Sequence, residues 1–304
     1  MKITVIGAGN MGGALVRGWS KAVCDKTVEY DITVTARTQH TVDRLKADFP
    51  RLRVSLNNAE AVKDADVVVL AVKPWLVDDV VEEIKDSLDY GRQIIVSVAA
   101  GISTEHLIKS FERKLGHDTE YDYADKSVED EPFSGNLSGG YYEKLENEHR
   151  RGVPPIFYVM PNIAAEYGES MTFISAARGV SAENLQKVES LFRIVGEVQV
   201  CEERLMDAGM MMAGCGIAYV MRYLRAQMEG GVEMGFYPKD ALRIALQTMQ
   251  GAVALLKETG MHPEAAIDKV TTPGGVTIKG LNELDHANFN SAVIRSLKAG
   301  LAKG

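Results

Sequence analysis

The feature that most constrains the fold is a regular alternation of short apolar runs and amphipathic segments through the first third of the chain. ITVIG precedes a helical pattern through Leu15 and Trp19, DITVTA precedes HTVDRLKADF, DVVVLAV precedes WLVDDVVEEIKDSL, and QIIVSVAA precedes ISTEHLIKSF. Continuous apolar strands separated by helices are typical of parallel strands that are buried on both faces and joined by right-handed crossovers. The alternation therefore predicts an α/β fold for residues 1–110.

The turn after the first predicted strand has the sequence GAGNMG. Gly7, Gly9 and Gly12 follow a strand and open a helix, with Asn10 and Met11 between them. Gly7 permits the tight turn, Gly9 lets a pyrophosphate approach the backbone, and Gly12 lets helix and strand pack closely. Glycines also serve ordinary turns, but the strand–turn–helix context and the free amides at the helix start favour an anionic ligand. We therefore predict a dinucleotide site.

The end of the second predicted strand indicates which dinucleotide binds. An acidic residue there would bind the ribose 2′-hydroxyl of NAD, whereas an arginine accommodates the 2′-phosphate of NADP. Here the strand ends in VTARTQH, which places Arg37 and the hydroxyl of Thr38 at this position. We predict NADPH as the cofactor, with NADH as an alternative. The competing interpretation of Arg37 is a surface arginine at a strand end.

Composition excludes several function classes. A length of 304 residues suits about two domains, and a formal net charge of −8 gives no reason to expect a nucleic-acid partner. The three cysteines, Cys24, Cys201 and Cys215, lack metal-ligand spacing, so we predict no metal site and no disulfide framework. Because the sequence shows neither a signal peptide nor a long apolar span, we predict a cytoplasmic protein without a membrane partner.

The composition changes at residues 117–152, where the alternation of predicted strands and helices is interrupted. Ten acidic and four basic residues lie between positions 118 and 151, with several glycines and serines and little apolar periodicity. We interpret this segment as a solvated surface insertion, in preference to an acidic arm that binds a partner.

The second half of the chain changes from strands to helices. IFYVM, MTFIS and EVQVC are predicted strands, and beyond Glu202 apolar residues recur at three- and four-residue intervals. Several of these helices are apolar on more than one face, which favours burial against another copy of the chain. We predict two domains, residues 1–201 for the dinucleotide and residues 202–304 for dimerisation and the substrate.

A set of motifs gives the sequence a specific resemblance. In order they are VIGAGNMGGAL, DADVVVLAVKPW, VSVAAGI, VMPNIAA, AGCGIAYV and VTTPGGVTIKGL. In order and spacing the chain resembles pyrroline-5-carboxylate reductases over nearly its whole length except the acidic insertion. The resemblance implies an N-terminal Rossmann-type doubly wound sheet, an all-α dimerisation domain, and NAD(P)H-dependent reduction of the cyclic imine of pyrroline-5-carboxylate to L-proline. It also implies active sites between the domains, with helices from both subunits.

The resemblance assigns candidate cofactor contacts residue by residue. It implies that Asn57 or Asn58 lies near the adenine ribose and that residues 71–74 line the ribose and nicotinamide side. The segment on the ribose and nicotinamide side consists of Ala71, Val72, Lys73 and Pro74. The resemblance implies that a further group shapes the nicotinamide pocket. On its cofactor side this group has Ala99, Ala100, Gly101 and Asn162, and on its substrate side it has Met160 and Pro161.

The resemblance also assigns substrate contacts in the helical half. Small residues of AGCGIAY and TTPGG present backbone amides near helix starts, where a substrate carboxylate can bind. Thr277 and Cys215 are the candidate catalytic residues. The substrate contacts predicted in the helical half are Gly214, Cys215, Gly216, Thr272, Gly274, Gly275 and Thr277. Close helix packing is an equal alternative for Gly214 and Gly216.

Several positions depart from the pattern of the family. SGSGPAY becomes AGCGIAY here, which replaces a serine by Cys215 and the proline by Ile217. Met221 and Arg222 stand where the family usually keeps small or polar side chains, including a threonine that touches the substrate. VKPQ becomes VKPW with Trp75, and Tyr158 replaces a basic residue before VMPN. These changes fall around the substrate more than around the cofactor. Because of Cys215, Ile217 and Arg222, a reductase of another imine or of a 3-hydroxyacid is the first alternative function.

One observation bears on the first alternative. A 3-hydroxyacid enzyme of this plan is expected to carry a catalytic lysine on the interdomain helix, and MMMAGCGIAYVMRYLRAQM contains none. The second alternative is a non-catalytic regulatory protein that binds a dinucleotide and recruits a partner through the insertion.

Overall fold

The computed structural model describes residues 1–112 and 152–301. Apart from Gly152, the predicted acidic insertion lies outside these residues. The chain divides into two compact units, Met1–Gly214 and Cys215–Gly304. The functional boundary between residues 201 and 202 stays a prediction.

The first unit is built on an eight-stranded sheet. Its strands are β1 (Lys2–Ile6), β2 (Asp31–Thr35), β3 (Arg53–Ser55), β4 (Val67–Leu70), β5 (Ile94–Ser97), β6 (Ile156–Met160), β7 (Ser170–Ala176) and β8 (Gly196–Val200). The spatial order is β3-β2-β1-β4-β5-β6-β7-β8, and every neighbouring pair is parallel except β6 and β7. The predicted doubly wound sheet is confirmed. Its strand order reverses between β1 and β4, where such sheets open a ligand crevice at the carboxyl ends of the strands.

Helices cover both faces of this sheet. They are α1 (Asn10–Cys24), α2 (Gln39–Asp48), α3 (Asn58–Val62), α4 (Val77–Ile84), α5 (Thr104–Phe111), α6 (Ala182–Arg193) and α7 (Met206–Gly209). All residues of β4, β5 and β6 are buried, as expected for strands covered on both faces. Trp19 of α1 is fully buried, donates from Nε1 to the Leu191 carbonyl at 2.9 Å, and packs edge-on against Phe192.

A polar contact on the surface joins α4 to α5. Asp78 accepts hydrogen bonds from the Ser110 hydroxyl and from His106 Nε2, both at 2.8 Å. These two bonds, that from Ser110 first, lower the pKa of the Asp78 carboxyl. The carboxylate form therefore stabilises the packing of the two helices.

The second unit consists of helices alone among the residues described. They are α8 (Gly216–Glu233), α9 (Pro238–Thr259), α10 (Pro263–Val270), α11 (Val276–His286) and α12 (Phe289–Ala299). Only Ala241 and Ala245 among its described hydrophobic residues are buried, while many large apolar side chains are exposed, including Met221, Leu246 and Val253. Exposed apolar surface of this kind is typical of interfaces with other molecules. The helical unit thus has the form of an oligomerisation domain.

No helix in the described part of the chain has the length and apolar character to cross a bilayer.

Candidate active site

Glycine occupies the three positions of the first turn for different structural reasons. Gly7 has φ +102°, and a Cβ added there would lie 2.7 Å from the Ala71 carbonyl oxygen. A Cβ on Gly12 would lie 2.0 Å from the Gly7 carbonyl oxygen. A Cβ on Gly9 would meet no atom within 4 Å, and its φ of −72° suits any residue. The fold therefore requires Gly7 and Gly12, whereas Gly9 is exposed beside open space and nothing in the fold requires glycine there.

The start of α1 adjoins that space. Gly9 is the N-cap, no side chain caps the helix, and its first turn carries no acidic residue. The first amides of a helix have no intrahelical partner and form the positive end of its dipole. Asn10 is exposed at this point, and Met11 packs partly against the core. These residues fit a pyrophosphate.

The end of β2 is the second place where the sequence predicts an anion. Arg37 is exposed and forms no ion pair with any residue that the structure describes. The next residue, Thr38, is the N-cap of α2, and its hydroxyl accepts a hydrogen bond from the Thr41 amide at 3.4 Å. The first turn of α2 has no acidic residue. A guanidinium beside an uncharged helix start fits a 2′-phosphate.

The two asparagines after β3 differ in the hydrogen bonds that their side chains form. Asn57 is the N-cap of α3, with Oδ1 accepting from the Glu60 amide at 2.9 Å. Asn58 donates from Nδ2 to the Glu83 carboxylate at 2.8 Å. Of the two, Asn57 therefore keeps its side-chain nitrogen free of partners among the described residues.

The segments after β4 and β5 adjoin the glycine turn. The Ala71 amide donates to the Ile6 carbonyl at 2.9 Å, and Val72 Cγ1 lies 3.1 Å from the position of a Cβ on Gly7. Lys73 is exposed and precedes a short 3₁₀ helix, Pro74–Leu76. The predicted cofactor residues 71–74 thus lie along the crevice between β1 and β4.

Tyr158 fixes the segment after β5, a role that sequence reasoning missed. Its buried hydroxyl accepts a hydrogen bond from the Gly101 amide at 3.0 Å, and Gly101 has φ +78°. Burial is the main cause that raises the pKa of Tyr158, so the hydroxyl stays protonated. Ala99 of this segment is buried, and Ala100 is exposed. The replacement of a basic residue by Tyr158 therefore gives a neutral anchor for the loop.

Asn162 is held by the protein itself. Oδ1 accepts from the Ala164 amide at 2.9 Å, Nδ2 donates to the Ala213 carbonyl at 3.4 Å, and the backbone amide donates to Ser170 Oγ at 3.0 Å. Pro161 beside it is also buried. These bonds join the end of β6 to the Met210–Gly214 segment, and ligand contacts of Asn162 and Pro161 stay predictions.

Met160 lies in a small buried cluster with Tyr158, Cys201 and Met206. Burial, and less strongly the charge of Glu202, raises the pKa of the Cys201 thiol to about 11. Cys201 is therefore a packed, protonated thiol, and a substrate contact of Met160 stays a prediction.

A π-helix precedes the predicted substrate helix. It spans Met210–Gly214, and α8 begins two residues later at Gly216, with half-buried Cys215 as its N-cap. Single-turn π-helices are frequent at functional sites. A Cβ on Gly214 would make only an ordinary contact, 3.6 Å from Met210 Cγ, so packing does not require glycine there.

The TTPGG segment of the helical unit forms a tight turn before α11. The Gly275 amide donates to the Thr272 carbonyl at 3.0 Å, and Gly274 has φ +70°. A Cβ on Gly275 would lie 2.5 Å from Thr272 Oγ1. Thr277 is exposed in the first turn of α11, which has no acidic residue and no side-chain cap. The structure thus brings Thr272, Gly274, Gly275 and Thr277 together at an exposed helix start.

Two family models match separate parts of the chain. Residues 203–304 match the model described as pyrroline-5-carboxylate reductase dimerisation. Residues 2–101 match the model described as NADP oxidoreductase, coenzyme F420-dependent.

Individual proteins match almost the full chain. It is 31% identical over 300 residues to the pyrroline-5-carboxylate reductase of Synechocystis sp., covering 98% of this chain and 95% of that protein. It is 32% identical over 307 residues to pyrroline-5-carboxylate reductase 1 of Dictyostelium discoideum, covering 97% of this chain but only 48% of that longer relative. The crystal structure of Plasmodium falciparum pyrroline carboxylate reductase with NADP bound has a TM-score of 0.76 at 21% identity, over 99% of this chain and 95% of that one, which shows a common fold.

Proposed function

Since this chain belongs to the pyrroline-5-carboxylate reductase family, we propose that it reduces the cyclic imine of 1-pyrroline-5-carboxylate to L-proline with NADPH. It is an NAD(P)H-dependent oxidoreductase that acts on a C=N bond. The observation that carries the cofactor assignment is the open space over Gly9, between two glycines that the fold itself requires.

Residues of the first unit bind and orient the cofactor in this proposal. The start of α1 holds the pyrophosphate, and Arg37 with the start of α2 holds the 2′-phosphate, which favours NADPH over NADH. Residues 71–74 and the loop anchored by Tyr158 form the nicotinamide side. The reduced nicotinamide, when bound, supplies a hydride to the imine carbon.

Residues of the helical unit bind the substrate. The turn before α11 presents amides and the Thr277 hydroxyl, which suit the substrate carboxylate. We assign Cys215 and Thr277 to contacts with the imine substrate. Because a protonated imine is already electrophilic, its reduction depends on positioning more than on a strong general base. This agrees with a proposed substrate site that consists of glycines, hydroxyls and backbone amides.

The helical unit makes the protein a homo-oligomer. We propose a dimer at least, with residues 202–304 as the dimerisation and substrate domain. The apolar side chains that this unit leaves exposed support the proposal. The three free cysteines agree with a reducing compartment, and we propose the cytoplasm.

The test is oxidation of NADPH, followed by absorbance, with purified protein and 1-pyrroline-5-carboxylate. Formation of proline in equal amount supports the proposal. Other cyclic imines and 3-hydroxyacids, the latter with NADP⁺, form the comparison panel. Cofactor binding with turnover only on another member of the panel would reject 1-pyrroline-5-carboxylate as the substrate.

A further inference from the structure

Two exposed apolar side chains share one edge of the sheet. Among residues 1–112, the large apolar side chains that are exposed are Leu56, at 55%, and Trp75, at 75%. Leu56 directly follows β3, and Trp75 lies in the segment that follows β4. Isolated exposed apolar residues are ordinary. Both of these, however, lie at the carboxyl edge of the sheet, where ligands bind in folds of this type.

The fold does not use the Trp75 indole. The following helix, α4, buries Val77, Val80, Val81 and Ile84, whereas Trp75 belongs to none of the aromatic pairs among the described residues. Its backbone is nevertheless fixed, because the Leu76 amide donates to the Lys73 carbonyl at 2.9 Å. Trp75 therefore combines a fixed position with an uncovered ring.

The strand order indicates which half of the cofactor each side chain meets. β2 and β3 lie on one side of β1, and β4 lies on the other. Arg37 follows β2, so a 2′-phosphate bound there places the adenosine half above β2 and β3. The nicotinamide half then extends across β4 toward Trp75.

We propose that Trp75 covers the nicotinamide half of bound NADP(H), while Leu56 packs against the adenosine half. This inference rests on the proposed function. The indole is a large aromatic surface that stacks well on a flat ring, and the oxidised nicotinamide ring is cationic, which suits an indole face. Trp75 is thus a binding residue that positions the nicotinamide.

The test labels the full-length protein with 5-fluorotryptophan. The chain has two tryptophans, so fluorine NMR gives two resonances, and Trp75→Phe assigns them. The shift of each resonance between H₂O and D₂O reports how far its indole is exposed. NADP⁺ should remove the solvent sensitivity of Trp75, whereas adenosine 2′,5′-bisphosphate, which lacks the nicotinamide half, should leave it. Trp19, which is fully buried, should stay insensitive throughout.

Binding measured by calorimetry provides the second readout. Trp75→Ala should weaken NADP⁺ binding about threefold to tenfold, as expected for loss of an aromatic contact, and leave the bisphosphate unaffected. Leu56→Ala is the matched control, because it should weaken both ligands.

Three outcomes would overturn the inference while the cofactor assignment stands. Trp75 could remain exposed although calorimetry shows that NADP⁺ binds. It could be shielded equally by the bisphosphate, which would place it on the adenosine side. It could be shielded before any cofactor is added, which would assign it to a contact with the second copy. Absence of both NADP⁺ binding and NADPH oxidation would instead reject the proposed function, and the role of Trp75 with it.

Discussion

Replacing Gly9 with alanine separates the needs of the ligand from those of the fold. The φ and ψ of Gly9 are −72° and −163°, and an added Cβ meets no atom within 4 Å. The free energy of unfolding should therefore change by no more than about 0.5 kcal/mol. The same methyl group would stand where the pyrophosphate approaches. Loss of one charge-assisted hydrogen bond, about 1.5–3 kcal/mol, should weaken NADPH binding about 10- to 150-fold.

Gly12→Ala should show the opposite pattern, in which the main loss is in stability and not in NADPH affinity. Its Cβ would lie 2.0 Å from the Gly7 carbonyl oxygen and 2.9 Å from Ala71 Cβ, so the backbone must shift. Overpacking of this kind costs about 1–3 kcal/mol, which lowers the melting temperature by roughly 2–12 °C. Thermal unfolding without cofactor measures the stability of each variant, and calorimetric titration with NADPH measures its affinity for the cofactor.

Gly91→Ala serves as the control for both variants. Gly91 is exposed before β5, at the amino end of the sheet, and its added Cβ would lie 3.5 Å from Asp89 Oδ1. It should change neither stability nor affinity. Wild-type NADPH affinity in a folded Gly9→Ala protein would refute the assignment of the open space to the pyrophosphate.

Three further predictions concern single side chains. Arg37→Ala should weaken NADPH about 10- to 150-fold and NADH little in binding titrations, with exposed Arg51→Ala as control; equal losses would remove Arg37 from the 2′-phosphate. Tyr158→Phe removes the acceptor of the Gly101 amide, which is exposed to water, and should cost about 0.5–1.5 kcal/mol in denaturant unfolding, whereas wild-type stability would contradict an anchoring role. Asp78→Asn should lower the free energy of unfolding at neutral pH by less than about 1 kcal/mol, since the group is largely exposed, and the melting temperature should fall slightly. Because the folded pKa of Asp78 is lowered, this difference should vanish as the pH falls below about 4, and a constant difference would contradict the ionic contribution.

Local patterns in the sequence were sufficient for much of the fold. The apolar runs predicted β1, β2, β4 and β5, since a strand buried on both faces is apolar at every position. The glycine turn was predictable because the three glycines recur at fixed spacing between a strand and a helix, although the atoms that exclude a side chain at Gly7 belong to the distant residues Ala71 and Val72. The later strands and the helical second half were likewise predicted from apolar pattern.

Contacts between distant segments could not be predicted in the same way. The bond from the Gly101 amide to Tyr158 joins residues 57 positions apart, and that from Asn162 to Ala213 joins residues 51 apart. Neither leaves a periodic signal, because each depends on which strands become neighbours. The exposure of Trp75 also depends on the fold, since the sequence shows the ring but not what lies above it.

The near absence of a core in the helical unit makes its stability a function of concentration. Only Ala241 and Ala245 are buried among its described hydrophobic residues, so most of its apolar surface is covered only when copies associate. For a dimer, each tenfold dilution then removes about 1.4 kcal/mol from the balance that favours the assembled state. The protein concentration thus sets the fraction of helical units whose apolar surface is covered.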